Sequence, residues 1–258
     1  MYQSYSKLEA LLSDDASSSV ERTLLKLILA GQPGDSLPSE RKLAQDLSIN
    51  RQPIREALQR LHRDGWIEIR HGRSTYIKNY LAEGGLSILA TLARENLLDA
   101  SWIRSLLELR LALAPIYTEA AFLYDAGAIV RYLETSCQVE DTADSFAAYD
   151  WYLHHSLCVS SKNPLYPMLV NSFATVYRHA GYYYFSLAEA RQGSLQFYKA
   201  LLTAASQPKQ AADEMRKVME QSLLIWEEAS KQFRLHSDHE KEHQDQTTRT
   251  DSRRVKKA

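Results

Sequence analysis

Apolar positions recur at helical spacing from the start of the ordered pattern. Val20, Leu24, Leu27 and Ile28 fall on one face of a helix that Ser17, Ser18 and Ser19 are placed to cap. Gly31-Gln32-Pro33-Gly34 ends it. Two short helices are predicted at about 39–47 and 51–64, joined by Ser48-Ile49-Asn50. The period then switches to two. Residues 66–70 and 75–78 read as short strands around His71-Gly72-Arg73-Ser74, a hairpin. From about Gly85 the helical period returns and holds nearly to Arg234. Breaks near Asp125-Ala126-Gly127, Asn163-Pro164, 186–190 and Gln207-Pro208 divide it into six or seven helices.

This order predicts a mainly α chain: a winged helix-turn-helix with a small β-hairpin wing over residues 1–80, then an all-α bundle over 81–236. Residues 237–258 are polar and charged with no apolar stripe, so the same reasoning predicts a disordered tail. Nine glycines and seven prolines in 258 residues leave few turns, which agrees with long helices.

The net charge of -1 hides an uneven distribution. From Arg41 to Lys78 there are nine Lys/Arg against four Asp/Glu; from Leu81 to His236 there are thirteen against seventeen. A basic module joined to a mildly acidic body suits phosphate at one end and a different partner at the other. Cys137 and Cys158 show no metal-like spacing, and there is no basic segment followed by an apolar core at the start, which points to a reduced cytoplasmic protein. No run approaches the roughly 18 apolar residues of a membrane span, so no membrane partner is expected.

The helix at 51–64 has two faces. Ile54, Leu58 and Leu61 point inward on Leu43 and Leu47, while Arg51, Gln52, Arg55 and Gln59 lie opposite. Asn50 is placed to cap the first turn, and Pro53 is tolerated there because it loses no intrahelical donor. Arg reads guanine bidentately and Gln reads adenine, which suits a recognition helix in the major groove. His71, Gly72 and Arg73 at the hairpin tip suit a phosphate or minor-groove contact.

Farther on, Ile103, Leu106, Leu107, Ala114, Tyr117 and Ala121 form an apolar stripe with Arg110 in its middle. A buried guanidinium needs an anion. Asp150 or a ligand phosphate or carboxylate would serve. Tyr177, Gly181 and Tyr184 recur at i, i+4 and i+7, and Ser222 and Trp226 at i, i+4. Buried phenols need polar partners, and a pocket with apolar walls and a polar mouth supplies them. No GxSxG elbow or P-loop is present, and His154, His155 and Cys158 lack the surroundings of a nucleophilic site, so a regulator is expected and not an enzyme.

The runs Pro33-Gly34-Asp35-Ser36-Leu37-Pro38-Ser39-Glu40-Arg41-Lys42-Leu43-Ala44 and Asn50-Arg51-Gln52-Pro53-Ile54-Arg55-Glu56-Ala57-Leu58-Gln59-Arg60-Leu61, followed by Asp64-Gly65-Trp66, resemble the GntR family of transcription regulators. With Ile69-Arg70-His71-Gly72-Arg73 and, later, Asn163-Pro164-Leu165-Tyr166, Glu189-Ala190-Arg191 and Ile225-Trp226, the chain is similar to the family's acyl-CoA-responsive branch, which controls fatty-acid metabolism. The resemblance implies a homodimer on double-stranded palindromic operator DNA, with no cofactor and with long-chain acyl-CoA as the releasing effector. It implies DNA contacts from Arg41, Arg51, Arg55, His71, Gly72 and Arg73, to which the face reading adds Asn50 and Gln52. It implies an acyl-CoA pocket lined by Leu106, Leu107, Arg110, Tyr177, Tyr184, Ser222 and Trp226. Met219 and His154 fall in that pocket where the branch has a glycine and a phenylalanine, and Gln221 falls where it has a glutamate. A second branch of the family holds a small organic acid on a metal bound by one Asp and three His. Asp150 and His154 match that set, and Tyr198 and Glu220 stand at its other two positions, so Asp150, His154 and Glu220 form an alternative metal set.

Overall fold

The computed structural model describes residues 20–70 and 72–255; the side chains of His179 and of residues 232–255 lie outside that description. The expected serine cap at 17–19 and the wing residue His71 also lie outside the described residues. Two compact units divide after Leu98.

The first unit opens with α1 (Val20–Ala30), α2 (Glu40–Asp46) and α3 (Arg51–Asp64), followed by β1 (Ile67–Glu68), β2 (Tyr76–Ile77), α4 (Tyr80–Glu83) and α5 (Ser87–Arg94). The apolar residues named from periodicity make its core: Leu24, Ile28, Leu43, Ile54, Leu58 and Leu61 are all buried. Ser39 caps α2, its Oγ accepting from the Lys42 N–H at 3.3 Å. Asn50 stands at the start of α3 with extended backbone, yet its side chain makes no cap bond, contrary to expectation. The hairpin is shorter than the sequence pattern predicted. Its register pairs Ile67 with Ile77, and residues 34–37 run alongside, with Gly34 N–H donating to Ile77 O at 2.8 Å and Leu37 N–H to Thr75 O at 2.8 Å.

The unit continues past residue 80, where the sequence pattern placed the boundary. Ile88, Thr91, Leu92 and Ala93 of α5 are buried. Thr91 Oγ1 donates to Asp64 Oδ2 at 2.9 Å, and Arg94 reaches the buried Glu21 at 2.5 Å, which Arg60 also meets at 2.6 Å. A buried carboxylate between two arginines ties α1, α3 and α5 together.

The second unit contains α6 (Ala100–Leu133), a 3-10 turn (Glu134–Gln138), α7 (Ala143–Ser160), α8 (Leu165–Ser172), α9 (Ala174–Phe185), α10 (Ala188–Thr203) and α11 (Pro208–Val255). Asp99 caps α6, accepting from the Ser101 and Trp102 N–H groups at 2.8 and 3.3 Å. The break expected at Asp125-Ala126-Gly127 is a kink: Asp125 has φ -153° and ψ 54°, and helix resumes after it. The core, drawn from α6, α7, α10 and α11, includes Ala114, Tyr117, Phe146, Leu153, Leu157, Tyr198, Leu201 and Met215. α11 runs on through the segment for which composition predicted disorder. No glycine or proline after Pro208 interrupts it. Residues 256–258 lie outside the described ones.

Candidate functional site

The two units present different chemistry. On the first, Arg41, Asn50, Arg51, Gln52, Arg55, Gly72 and Arg73 are all exposed. α3 places Arg51, Gln52 and Arg55 there because its inward face is occupied by Ile54, Ala57, Leu58 and Leu61, which leaves these side chains on the other side. Arg55 is not a free cation. Its guanidinium reaches Glu40 at 2.9 Å, and that carboxylate raises its pKa further. Gln52 Nε2 donates to Glu56 Oε1 at 2.8 Å. Both side chains are therefore held in place while remaining on the surface. At the wing, Gly72 has φ +70°, a conformation that disfavours residues with a Cβ, and a Cβ there would meet nothing within 4 Å. The tip is thus open to a partner, with the exposed Arg73 following directly.

The second unit buries its charge. Arg110, on α6, has a side chain only 18% exposed. Its Nη2 donates to Asp150 Oδ2 at 3.1 Å and to His154 Nε2 at 2.6 Å, both on α7. Its guanidinium lies 4.7 Å from the centre of the Tyr177 ring. Tyr177 donates its hydroxyl to Asp150, and Tyr198 donates to the other carboxylate oxygen at 3.3 Å. His154 Nδ1 meets Tyr117 Oη at 2.6 Å. Because Arg110 has only donors, Nε2 of His154 must accept, which puts the ring proton on Nδ1 and aims it at the Tyr117 oxygen.

These contacts set the charges. Burial and the Arg110 cation push His154 down to about 3, so the ring is neutral at physiological pH. Burial alone would favour the neutral acid at Asp150; the Arg110 guanidinium and the Tyr177 hydroxyl outweigh it and hold the carboxyl below its usual value. Cys158 is pushed up to about 12 by burial and stays a thiol.

Ile103, Leu106, Leu107, Arg110, Tyr177, Gly181 and Tyr184 line a cavity of about 20 Å³. That holds about one water. Tyr184 donates to Ser222 Oγ at 2.9 Å, and Trp226 packs with Ile103, Leu107 and Ala180 while its Nε1 donates to Ala100 O at 3.1 Å. Met219 belongs to the main core and not to the cavity wall, and His154 stands behind Arg110.

The alternative metal set does not assemble. Glu220 is exposed on α11, whereas Asp150 and His154 are buried with their polar atoms engaged by Arg110 and tyrosines. No group of three or more His, Cys, Asp or Glu suited to a metal occurs among the described residues. Physically, the guanidinium already occupies the charge position a cation would take.

Residues 16–77 match the bacterial regulatory proteins of the gntR family, and residues 78–238 match the FadR C-terminal domain. The chain belongs to the GntR family, in its FadR branch. It is a DNA-binding transcription regulator. Fatty acid metabolism regulator proteins are similar to it. That of Shewanella sp. strain MR-7 is 44% identical over 175 residues, covering 66% of this chain and 70% of the relative. That of Shewanella oneidensis strain MR-1 is 43% identical over 175 residues, covering 66% of this chain and 71% of the relative. Among solved structures, Lar, which controls the expression of the Listeria monocytogenes agr system and mediates virulence, has 17% identity and a TM-score of 0.52 over 81% of this chain and 95% of that one. The last likeness shows the shared fold.

In this regulator the sequence pattern located Arg110, Asp150, Tyr177 and Tyr184, which the fold brings together. It missed the pairing of Glu40 with Arg55 and the bond of Tyr117 to His154. The signal for Tyr117 was present, seven residues from Arg110 on the same helical stripe.

Proposed function

We propose that this regulator holds operator DNA as a homodimer and is released by long-chain acyl-CoA. It is a DNA-binding transcription regulator of fatty-acid metabolism. The observation that carries the effector reading is Arg110. A guanidinium among Ile103, Leu106 and Leu107 borders a cavity on one side and is balanced by protein groups on the other. An acyl thioester combines an alkyl chain for such walls with an anionic phosphate portion for such a cation. The cavity of about 20 Å³ admits no alkyl chain as it stands. Occupancy and a change of shape are then one event, which is what a ligand needs if it is to favour one state over another. Arg41, Asn50, Arg51, Gln52, Arg55, Gly72 and Arg73, together with His71, would meet the operator. A two-fold operator requires two recognition helices, hence the homodimer. The protein acts in the cytoplasm without cofactor and without turnover of its effector. No helix among the described residues is long and apolar enough to cross a membrane.

Fluorescence anisotropy of a labelled operator duplex of the FadR type tests this reading. The duplex should be retained with free CoA and released by palmitoyl-CoA or oleoyl-CoA, with the thioester recovered intact. Arg110→Ala should keep the duplex bound and raise the palmitoyl-CoA needed for release. Retention at every chain length, or release by citrate with a divalent metal, would refute it.

A further inference from the structure

α11 runs to Val255, through a stretch after Arg234 that has no apolar stripe. Most helical stability in proteins comes from burying an amphipathic face, and a polar stretch has no such face. Helix there needs another source of stability.

The same stretch reads His236-Ser237-Asp238-His239-Glu240-Lys241-Glu242-His243-Gln244-Asp245. Three of the chain's eight histidines fall in it, within about two helical turns. Asp238, Glu240, Glu242 and Asp245 outnumber its basic residue, Lys241, so the stretch attracts cations. Helical spacing sorts these residues. His236, His239, Glu240 and His243 stand at i, i+3, i+4 and i+7, which puts all four on one face of α11. Ser237, Asp238, Lys241 and Glu242 fall on the others. His239, Glu240 and His243 also have the H-E-x-x-H spacing, which on a helix sets two imidazoles one turn apart, as zinc binding requires. Elsewhere histidine nitrogens are engaged within the protein. His62 Nδ1 lies 3.0 Å from Ile67 O, and His154 meets Arg110 and Tyr117.

We propose that this face of α11 binds one zinc-class divalent ion through His239 and His243, with His236 as a weaker third ligand. Imidazole suits ions of this class. By joining successive turns the ion holds the end of α11 helical, supplying the stability that burial does not. His239 and His243 lie beyond residue 238, where the match to the FadR C-terminal domain ends. The site is therefore separate from the Arg110 cluster and independent of the acyl-CoA reading.

The full chain, freed of metal with a chelator, is titrated with zinc chloride by calorimetry and followed by far-ultraviolet circular dichroism. One ion per chain should bind at pH 7.5, with a gain of helical signal. Binding should weaken at pH 5.5, because imidazole protonates near about 6.5 and a protonated ring cannot ligate. Losing the outer partner of a metal ligand already costs about 10- to 100-fold in affinity, so His239→Ala and His243→Ala should each cost about tenfold or more. His236→Ala should cost less. Lys241→Gln, two residues from His239, should stay within about threefold. All four variants should unfold at the temperature of the unaltered metal-free chain, which reports correct folding. Undiminished zinc binding in a variant lacking both His239 and His243 would put the ion elsewhere, as on the exposed Cys137, and overturn the proposal. So would a lack of zinc binding by the unaltered chain, or binding with no gain of helical signal.

Discussion

Arginine does opposite jobs in the two units. On the winged unit Arg55 stands at the surface with a side chain 55% exposed, steadied by Glu40. In the helical unit Arg110 is 18% exposed and bound to Asp150 and His154. The first arrangement is inexpensive in free energy, because water solvates both charges and the pair contributes little to stability. It leaves the cation available for phosphate or base edges. The second arrangement gives up solvation, and only the geometry of its partners keeps the charge inside. A residue at the surface can thus be spent on binding without affecting the fold, whereas a buried one links the fold to whatever disturbs its partners.

The contrast is sharpest in stability. Asp150→Ala leaves Arg110 uncompensated and should cost about 3–5 kcal/mol, read by urea unfolding, whereas Arg51→Ala should fall within about 0.5 kcal/mol. Similar losses from both would erase the distinction.

Acid should weaken the helical unit through the same cluster. An unfolded histidine takes a proton as pH falls through about 6.5, whereas folded His154 resists protonation down to about 3. Between those values the unfolded state binds more protons, so stability drops as pH falls, by about 1.4 kcal/mol per pH unit. Asp150, held below its usual value, continues the loss below the ordinary carboxylate range. His154→Phe keeps the ring and removes the histidine share. Unfolding at pH 7 and pH 4.5 should show a smaller difference for the variant, and equal differences would remove His154 from the account.

The surface pair gives the smallest effect on the fold and a clear one on DNA. Arg55→Ala should cost about 1–3 kcal/mol of specific operator binding with stability unchanged. Glu40→Gln loosens the positioning of Arg55 and should weaken sequence preference less than Arg55→Ala does. Operator affinity untouched by both changes would take Arg55 out of the interface.

Periodicity alone determined the two-part architecture. The switch from period 3.6 to period 2 at Trp66 placed the wing, and Gly31, Pro164 and Pro208 marked helix ends because backbone geometry acts locally. It also showed that Arg110 lies on an apolar stripe, since helical spacing fixes which residues share a face. That Arg110 meets Asp150 followed only from the packing of α6 against α7, which brings together residues 40 positions apart. The same holds for the inclusion of α5 in the winged unit through Glu21 and Asp64, and for the exposure of Glu220, which breaks the metal set. Contacts between distant segments depend on how whole helices pack, and no local pattern encodes that.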